Sequence, residues 1–412
     1  MRRAYRFVLQ HHLRHHQQMI FLAGPRQVGK TTLANRILAD HASQGVYLNW
    51  DVIEHRERLL AGATALIQSV NAQRALGEAK PLVILDEIHK YKDWKNYLKG
   101  LYDLAKNDIH LLVTGSSRLD IFRKGGDSLM GRYLLYQLFP LSVREIIDDR
   151  ELIDTTSTQW APPLLRAPTP IDTTEFQQLI EFGGFPDPYI KGDPLFHTQW
   201  TQLRHDQLFR EDIVSLSAVS ELQQLEMLAH ILQRQSGQQV NYSKLAKQIR
   251  MDNRTIRRWF DLLESAYFCF RIQPWSKNIA RSLLKEPKVY GWDWSTIQDA
   301  GQRHETLVAC HLHKATRFWT DCGLGRFGLY YLRDKNQREV DFMVTRDDTP
   351  WFMVEVKTSK TTLSPHLSHF QNQSECPHAF QVTIEQPFHD EDCFSTNKPT
   401  IVSAASFLSQ LI

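Results

Sequence analysis

The 412 residues carry 49 Lys and Arg against 46 Asp and Glu, a formal net charge of +3, and are 42% hydrophobic and 23% charged. That length exceeds what one hydrophobic core fills, and the composition excludes both wholesale disorder and a membrane-embedded chain. With so balanced a charge, any acidic partner must be met by a local basic patch rather than by the field of the whole molecule.

The first residues, Met-Arg-Arg-Ala-Tyr-Arg-Phe-Val-Leu, turn polar at Gln10-His11-His12. No signal-peptide core forms, and no later apolar run reaches membrane-spanning length, so a cytoplasmic protein without a membrane partner is expected. If residues 4 to 18 are helical, His11, His12, His15 and His16 fall at i, i+4 spacing, which suits either a metal or the polar face of an amphipathic lead-in helix; without a carboxylate or cysteine beside them, the polar face is the better account.

Met19–Ala23 is an apolar run of strand length, and Leu33–Leu38 has helical spacing. Between them Gly24, Pro25, Arg26, Gln27, Val28, Gly29, Lys30, Thr31 and Thr32 match G-x-x-x-x-G-K-[ST]. Strand, glycine loop and helix form a phosphate cradle of backbone N–H groups at a helix amino terminus, with Lys30 reaching the β- and γ-phosphates of ATP and the Thr31 hydroxyl on Mg²⁺. Val46–Trp50 is a second strand. Leu82–Leu85, followed by Asp86 and Glu87, has the pattern of a buried parallel strand whose carboxyl end faces the nucleotide. Asp86 is expected in the Mg²⁺ shell, and Glu87 is expected to polarise the attacking water, a group that a switch-type GTPase lacks. A further strand, His110–Val113, ends in Thr114-Gly-Ser-Ser117, whose hydroxyls suit either γ-phosphate sensing, with Thr114 as the contact, or turn chemistry. Arg118, Arg123 and Lys124 follow, and Arg132, just before the strand Tyr133–Leu138, is a candidate arginine finger for its own or a neighbouring subunit, with a surface ion pair as the alternative.

Gly24–Thr32, Leu85-Asp-Glu-Ile-His89, Thr114–Ser117, Gly131-Arg132, Phe139-Pro-Leu-Ser142, Gly183-Gly-Phe-Pro186 and Arg210-Glu-Asp-Ile213 together resemble the bacterial and archaeal AAA+-like ATPases that carry a carboxy-terminal domain called DUF4143. The resemblance spans most of the chain and implies an α/β P-loop NTPase core of the AAA+/ASCE kind. A homo-oligomer is expected, with a hexameric ring as one form. Glu151–Thr174, long and rich in Thr and Pro, departs from the short connection expected and suits a surface insertion or linker.

Glu175–Ser217 has the spacing of a helical lid. Beyond it, Leu222, Leu225, Leu228, Ile231 and Leu232 form a helical stripe; Tyr242–Ile249, a break at Met251–Asn253, and Thr255–Leu263 suggest helix, turn, helix; and Phe268–Ile272 suits a wing strand. A winged helix is expected, with Arg254, Arg257 and Arg258 on the recognition helix and Arg281, Lys285 and Lys288 in the wing, meeting DNA phosphates, duplex or branched. A protein-binding winged helix with a solvated arginine face is the alternative.

In the last segment a helix opens at Gly301–Glu305, and strands follow at Phe327–Leu332, Glu339–Val344 and Trp351–Lys357. Period-two alternation sets Asp341 apart from Val340, Phe342 and Val344, and Glu355 and Lys357 apart from Phe352, Val354 and Val356. This resembles the PD-(D/E)xK nuclease fold, which implies Glu305 on the leading helix, Asp341 and Glu355 as Mg²⁺ or Mn²⁺ ligands, and Lys357 orienting water. An ion-paired sheet edge or a degenerate nuclease fold is the alternative.

The expected division is therefore 1–150 for the ATPase core, 151–217 for insertion and lid, 218–290 for the winged helix and 291–412 for the nuclease-like domain. The five cysteines, Cys269, Cys310, Cys322, Cys376 and Cys393, are dispersed without C-x-x-C spacing, against a disulfide framework or zinc site. The expected function is ATP hydrolysis coupled to remodelling or metal-dependent processing of DNA in repair, recombination or defence. The alternative is a nucleotide-controlled switch or scaffold that binds protein or DNA without cutting it.

Overall fold

The computed structural model describes residues 3–41, 45–72, 79–115, 129–148, 163–214, 221–276, 286–359 and 361–412. Contacts divide it into two units, one of Arg3–Phe139 and one from Pro140 onward.

In the first unit five short strands pair in parallel: β1 (Met19–Ala23), β2 (Gly45–Asn49), β3 (Leu82–Asp86), β4 (His110–Thr114) and β5 (Tyr133–Gln137), in the order β2-β3-β4-β1-β5. β1 and β3 are buried along their whole length, which is why they are unbroken apolar runs rather than alternating ones. One core gathers Phe21, Leu48, Val83, Leu85 and Val113 from the strands with Trp94, Leu98 and Leu101 from the helix Trp94–Ala105. Because all five strands run the same way, their carboxyl ends share one edge, and the functional loops after β1, β3 and β4 collect there.

The lead-in helix Tyr5–His15 buries Tyr5, Val8, Leu9 and Leu13. His12 belongs to this core and not to a polar face, being 1% exposed. Its Nε2–H donates to the Gln18 carbonyl at 2.7 Å and its Nδ1 accepts from the Tyr136 hydroxyl at 2.9 Å. Burial lowers its pKa to about 4, so it is neutral.

The second unit is mixed. Helices Thr173–Phe182, Pro186–Lys191 and Pro194–Gln207 lead through a π-helical turn, Leu208–Ile213, to helices Leu222–Arg234, Tyr242–Ile249 and Asn253–Ser265. A seven-stranded sheet follows, ordered β12-β11-β10-β9-β8-β6-β7. Its strands are β6 (Cys269–Pro274), β7 (Lys288–Gly291), β8 (Phe327–Arg333), β9 (Glu339–Arg346), β10 (Thr349–Lys357), β11 (His378–Thr383) and β12 (Thr400–Ser403). The antiparallel pair β6–β7 joins this sheet because β6 runs parallel to β8 at Gln273↔Tyr330 and Pro274↔Tyr331. Residue 290, expected to end one domain, thus lies inside β7. The 22-residue helix Ala300–Asp321, opened by the Asp299 side chain on the Gln302 amide, buries Leu307, Val308, Leu312, Phe318 and Trp319.

Candidate nucleotide site and a second charged centre

The phosphate loop is shaped by its glycines. Gly24 has φ +145°, and a Cβ there would stand 2.1 Å from the Leu138 carbonyl oxygen, so no side chain fits between β1 and the segment after β5. Gly29 caps the helix Lys30–Asp40 at φ +92°, a left-handed conformation that costs glycine little. Lys30 is 9% exposed; its ammonium lies across the loop, donating to the Gly24 and Pro25 carbonyls at 2.9 and 2.7 Å. A polyphosphate in the loop would offer the same ammonium stronger, charged acceptors.

Asp86, at the end of β3, accepts from three hydroxyls: Thr31 at 3.0 Å and Tyr47 at 2.6 Å on Oδ2, and Thr114 on Oδ1. Thr31 and Asp86 are therefore already neighbours, and a hydroxyl beside a carboxylate is a hard-oxygen donor pair that fits Mg²⁺. Thr114 is held on Asp86, which is its role in this site. Tyr47 was not among the expected site residues. Burial, reinforced by the Asp86 carboxylate, pushes its phenol well above the usual tyrosine range.

Glu87 stands one residue beyond Asp86 at φ +56°, a left-handed conformation unusual for glutamate. Such an outlier at the expected water-activating residue is the kind of strain found at functional sites. Its carboxylate lies 3.5 Å from both His89 Nε2 and Lys90 Nζ, and Lys90 also holds Asp51 at 2.5 Å. Burial raises the Glu87 pKa, with Lys90 opposing and Asp86 assisting, which makes it a stronger base than a surface glutamate.

Arg132 is a correction to the finger within one chain. Its carbonyl accepts from the Met19 amide at the amino end of β1, the edge opposite the phosphate loop and about 15 Å from it at strand rise. Its guanidinium is engaged by both carboxylate oxygens of Asp103, at 2.8 and 3.1 Å. Arg118, Arg123 and Lys124 lie outside the described residues, as does Ser116–Ser117.

In the second unit the turn between helices Tyr242–Ile249 and Asn253–Ser265 is made by Arg250 in a left-handed C-cap and Asp252 capping the Thr255 amide. Ile256, Trp259, Phe260 and Leu263 face the core with Leu225, Leu228 and Leu245. That orientation leaves Arg254, Arg257 and Arg258 exposed, beside exposed Lys244, Lys247 and Arg250. Arg257 lies over the Tyr242 ring at 4.2 Å. The nearby acids are engaged elsewhere: Arg271 pairs with Asp261 at 2.7 Å and with Glu264.

The wing cations fare differently. Arg281 and Lys285 lie outside the described residues. Lys288 does not face solvent: it is 3% exposed, and its ammonium stands 2.7 Å from Glu339, 3.1 Å from Glu305 and 3.6 Å from Asp341. A strand alternates, so the first residue of β7 turns inward onto the helix carrying Glu305 and cannot meet a phosphate. Burial opposes its charge, but Tyr290, Glu305, Asp341 and Glu339 hold its pKa well above that of an ordinary lysine.

Glu305, Asp341, Glu355 and Lys357 are thus brought into one neighbourhood, as expected. The Asp341 carboxylate accepts from the Val356 amide at 2.9 Å, tying β9 to β10 between Glu355 and Lys357. Lys357 holds Glu355 Oε1 at 2.7 Å, and Glu355 Oε2 is buried without a hydrogen-bond partner. Burial, and after it the Asp341 charge, raises the pKa of both Glu305 and Glu355. As a metal centre the arrangement does not fit. Among the described residues no three His, Cys, Asp or Glu side chains are grouped to hold an ion. The Lys288 ammonium fills the space between Glu305, Glu339 and Asp341, 2.7–3.6 Å from their oxygens, where a divalent ion would otherwise stand. Asp341, expected as a metal ligand, thus faces the Lys288 ammonium at 3.6 Å, and Glu355, the other expected ligand, is paired with Lys357 through Oε1. Glu339 was not among the expected site residues although it alternates in phase with Asp341; Lys288 was expected in the wing because β7 was assigned to another domain.

Residues 16–147 match the AAA domain family, residues 173–301 the domain of unknown function DUF8612, and residues 300–399 the domain of unknown function DUF4143. An uncharacterized protein of Mycobacterium tuberculosis is 24% identical over 367 residues, covering 85% of this chain and 73% of the relative. One of Methanocaldococcus jannaschii is 23% identical over 361 residues, covering 84% and 77%. Among solved structures, a Walker-type ATPase of Pyrococcus abyssi aligns with 13% identity and a TM-score of 0.40, over 73% of this chain and 95% of that one. The RuvB Holliday junction branch migration motor of Thermotoga maritima aligns with 16% identity and a TM-score of 0.29, over 64% and 87%.

Proposed function

We propose, for a chain that belongs to the AAA-type P-loop ATPases carrying a DUF4143 domain, that it hydrolyses ATP and uses the turnover to act on DNA held by its second unit. The hydrolysis reading is carried by one observation: Lys30, Thr31, Asp86 and Glu87 stand at the shared carboxyl edge of a parallel sheet, with Thr31 already bonded to Asp86. Thr31 and Asp86 would hold Mg²⁺, which supplies charge neutralisation at the phosphates. Lys30 binds the phosphate chain, and Glu87, made basic by burial, orients and polarises the attacking water. Intact Glu87 favours turnover over a slow switch.

The DNA reading rests on the helix pair Tyr242–Ile249 and Asn253–Ser265 and the turn between them, where six cations are exposed, while Asp261 and Glu264 pair with Arg271 and Asp252 caps the Thr255 amide. With β6 and β7 behind it, this arrangement supports a winged helix whose arginines meet phosphates. Reversing Arg254, Arg257 and Arg258 to Glu should weaken duplex binding and flatten its salt dependence by about one unit of slope per lost contact. Fluorescence anisotropy across a salt series measures both; an unchanged affinity and slope would make this a protein-binding face.

A cleaving centre is the second reading, supported by the order of helix Ala300–Asp321, antiparallel β8–β9–β10, helix Pro365–Ser374 and parallel β11, and by the unpartnered Glu355 Oε2. The Lys288 contacts favour binding without cutting. Full-length protein incubated with duplex, single-stranded and four-way-junction DNA in Mg²⁺ or Mn²⁺ is expected to show no cleavage beyond that of Asp341→Ala. Cleavage by the parent that Asp341→Ala lacks would establish the second reading.

A further inference from the structure

Four carboxylates and three cations are interlocked around β7. Lys288 Nζ contacts Glu305, Glu339 and Asp341, Arg333 takes the second oxygen of Glu339 at 2.7 Å, and Lys357 takes Glu355. Tyr290, two residues beyond Lys288 on the same face of β7, donates its hydroxyl to the same Glu305 oxygen at 2.7 Å. The strand therefore delivers both a charge and a proton donor to one carboxylate on the helix Ala300–Asp321. Carboxylates packed this closely and this deeply need a counter-ion, and two sources exist: a bound metal or the chain's own ammonium groups. The Lys288 nitrogen already stands within ion-pair distance of three of them.

We propose that Lys288 is the resident cation of this centre, standing in for a divalent metal and excluding one from it. A dication bound to Glu305 or Asp341 would sit against the Lys288 ammonium, which has no space to withdraw because it is 3% exposed and ringed by Glu305, Glu339 and the Tyr331 ring. With the ammonium gone, the three carboxylates face one another across a space that a small inward shift turns into a hard-oxygen metal shell. This goes beyond the reading of the second unit as non-cleaving: it names the residue that makes it so.

The test is Mn²⁺ binding to nucleotide-free, full-length protein, followed by electron paramagnetic resonance, with no DNA present. The parent should show no binding that Asp341→Asn abolishes. Lys288→Met should gain an Asp341-dependent site, at least roughly 100-fold tighter than any such binding detectable in the parent, since a like charge a few ångströms from the ion has been removed. Thermal unfolding gives a second readout: Lys288→Met should melt below the parent and recover with Mn²⁺, while the parent does not respond. If Lys288→Met fails to fold, the parent and Asp341→Asn decide alone. Asp341-dependent binding in the parent as tight as in Lys288→Met overturns the proposal, as does a folded Lys288→Met that gains no site. Because no DNA is present, these outcomes are independent of whether the protein cleaves.

Discussion

Lys30→Ala and Glu87→Gln should fail at different steps. Lys30 places its ammonium inside the phosphate loop, so its loss removes a charge-assisted contact to the bound nucleotide and should weaken ATP binding roughly 10- to 100-fold. Glu87 stands beyond Asp86 in a left-handed turn, its carboxylate made more basic by burial and proposed to polarise the attacking water. Gln keeps the shape and loses the basicity, so ATP should still bind while turnover falls about 100- to 10,000-fold, the range of a lost general base. Equilibrium binding of a fluorescent ATP analogue and steady-state phosphate release separate the two. Equal turnover in Glu87→Gln and the parent would remove Glu87 from the reaction, and unaltered binding in Lys30→Ala would remove the loop.

The largest expected loss of stability lies away from either site. Lys314, 2% exposed, pairs at 2.5 Å with Glu145, 1% exposed, and also donates to the Pro140 carbonyl at 2.8 Å. Lys314→Met leaves the Glu145 charge buried without its cation and should cost the second unit about 3–5 kcal/mol. Lys314→Met with Glu145→Leu removes both charges and should recover most of it, since a well-packed apolar pair is often no worse than a buried ion pair. Two units imply separate transitions, so calorimetry must follow the one belonging to residues from Pro140 onward. A single variant as stable as the parent, or a double variant no better than the single, would refute the account of this pair.

The sequence made the nucleotide site plain because its parts are local. Gly24–Thr32 carries its own strand and helix, and Leu82–Glu87 is an apolar run ending in its two acids. Tyr47 was invisible, because its hydroxyl reaches Asp86 only through the pairing of β2 with β3, which no spacing encodes. The place of Arg132 at the amino edge was hidden for the same reason, since it depends on β5 lying parallel to β1; the ion pair with Asp103 is the alternative that the sequence left open. Lys288 shows how a domain boundary can mislead. Taken as a wing, it seemed a surface cation; with β6 paired to β8, it turns onto Glu305 and Asp341. His12 was placed on a polar face because alternation of polar and apolar residues does not reveal a buried hydroxyl partner such as Tyr136.

The central claim, that nucleotide turnover serves an action on DNA, is tested most directly by steady-state ATP hydrolysis with and without duplex and four-way-junction DNA. The parent and the Arg254→Glu, Arg257→Glu, Arg258→Glu triple variant are compared. The account predicts that DNA accelerates turnover in the parent and that the triple variant hydrolyses ATP at the parent's DNA-free rate without responding to DNA. Turnover in the parent that neither DNA changes would contradict it.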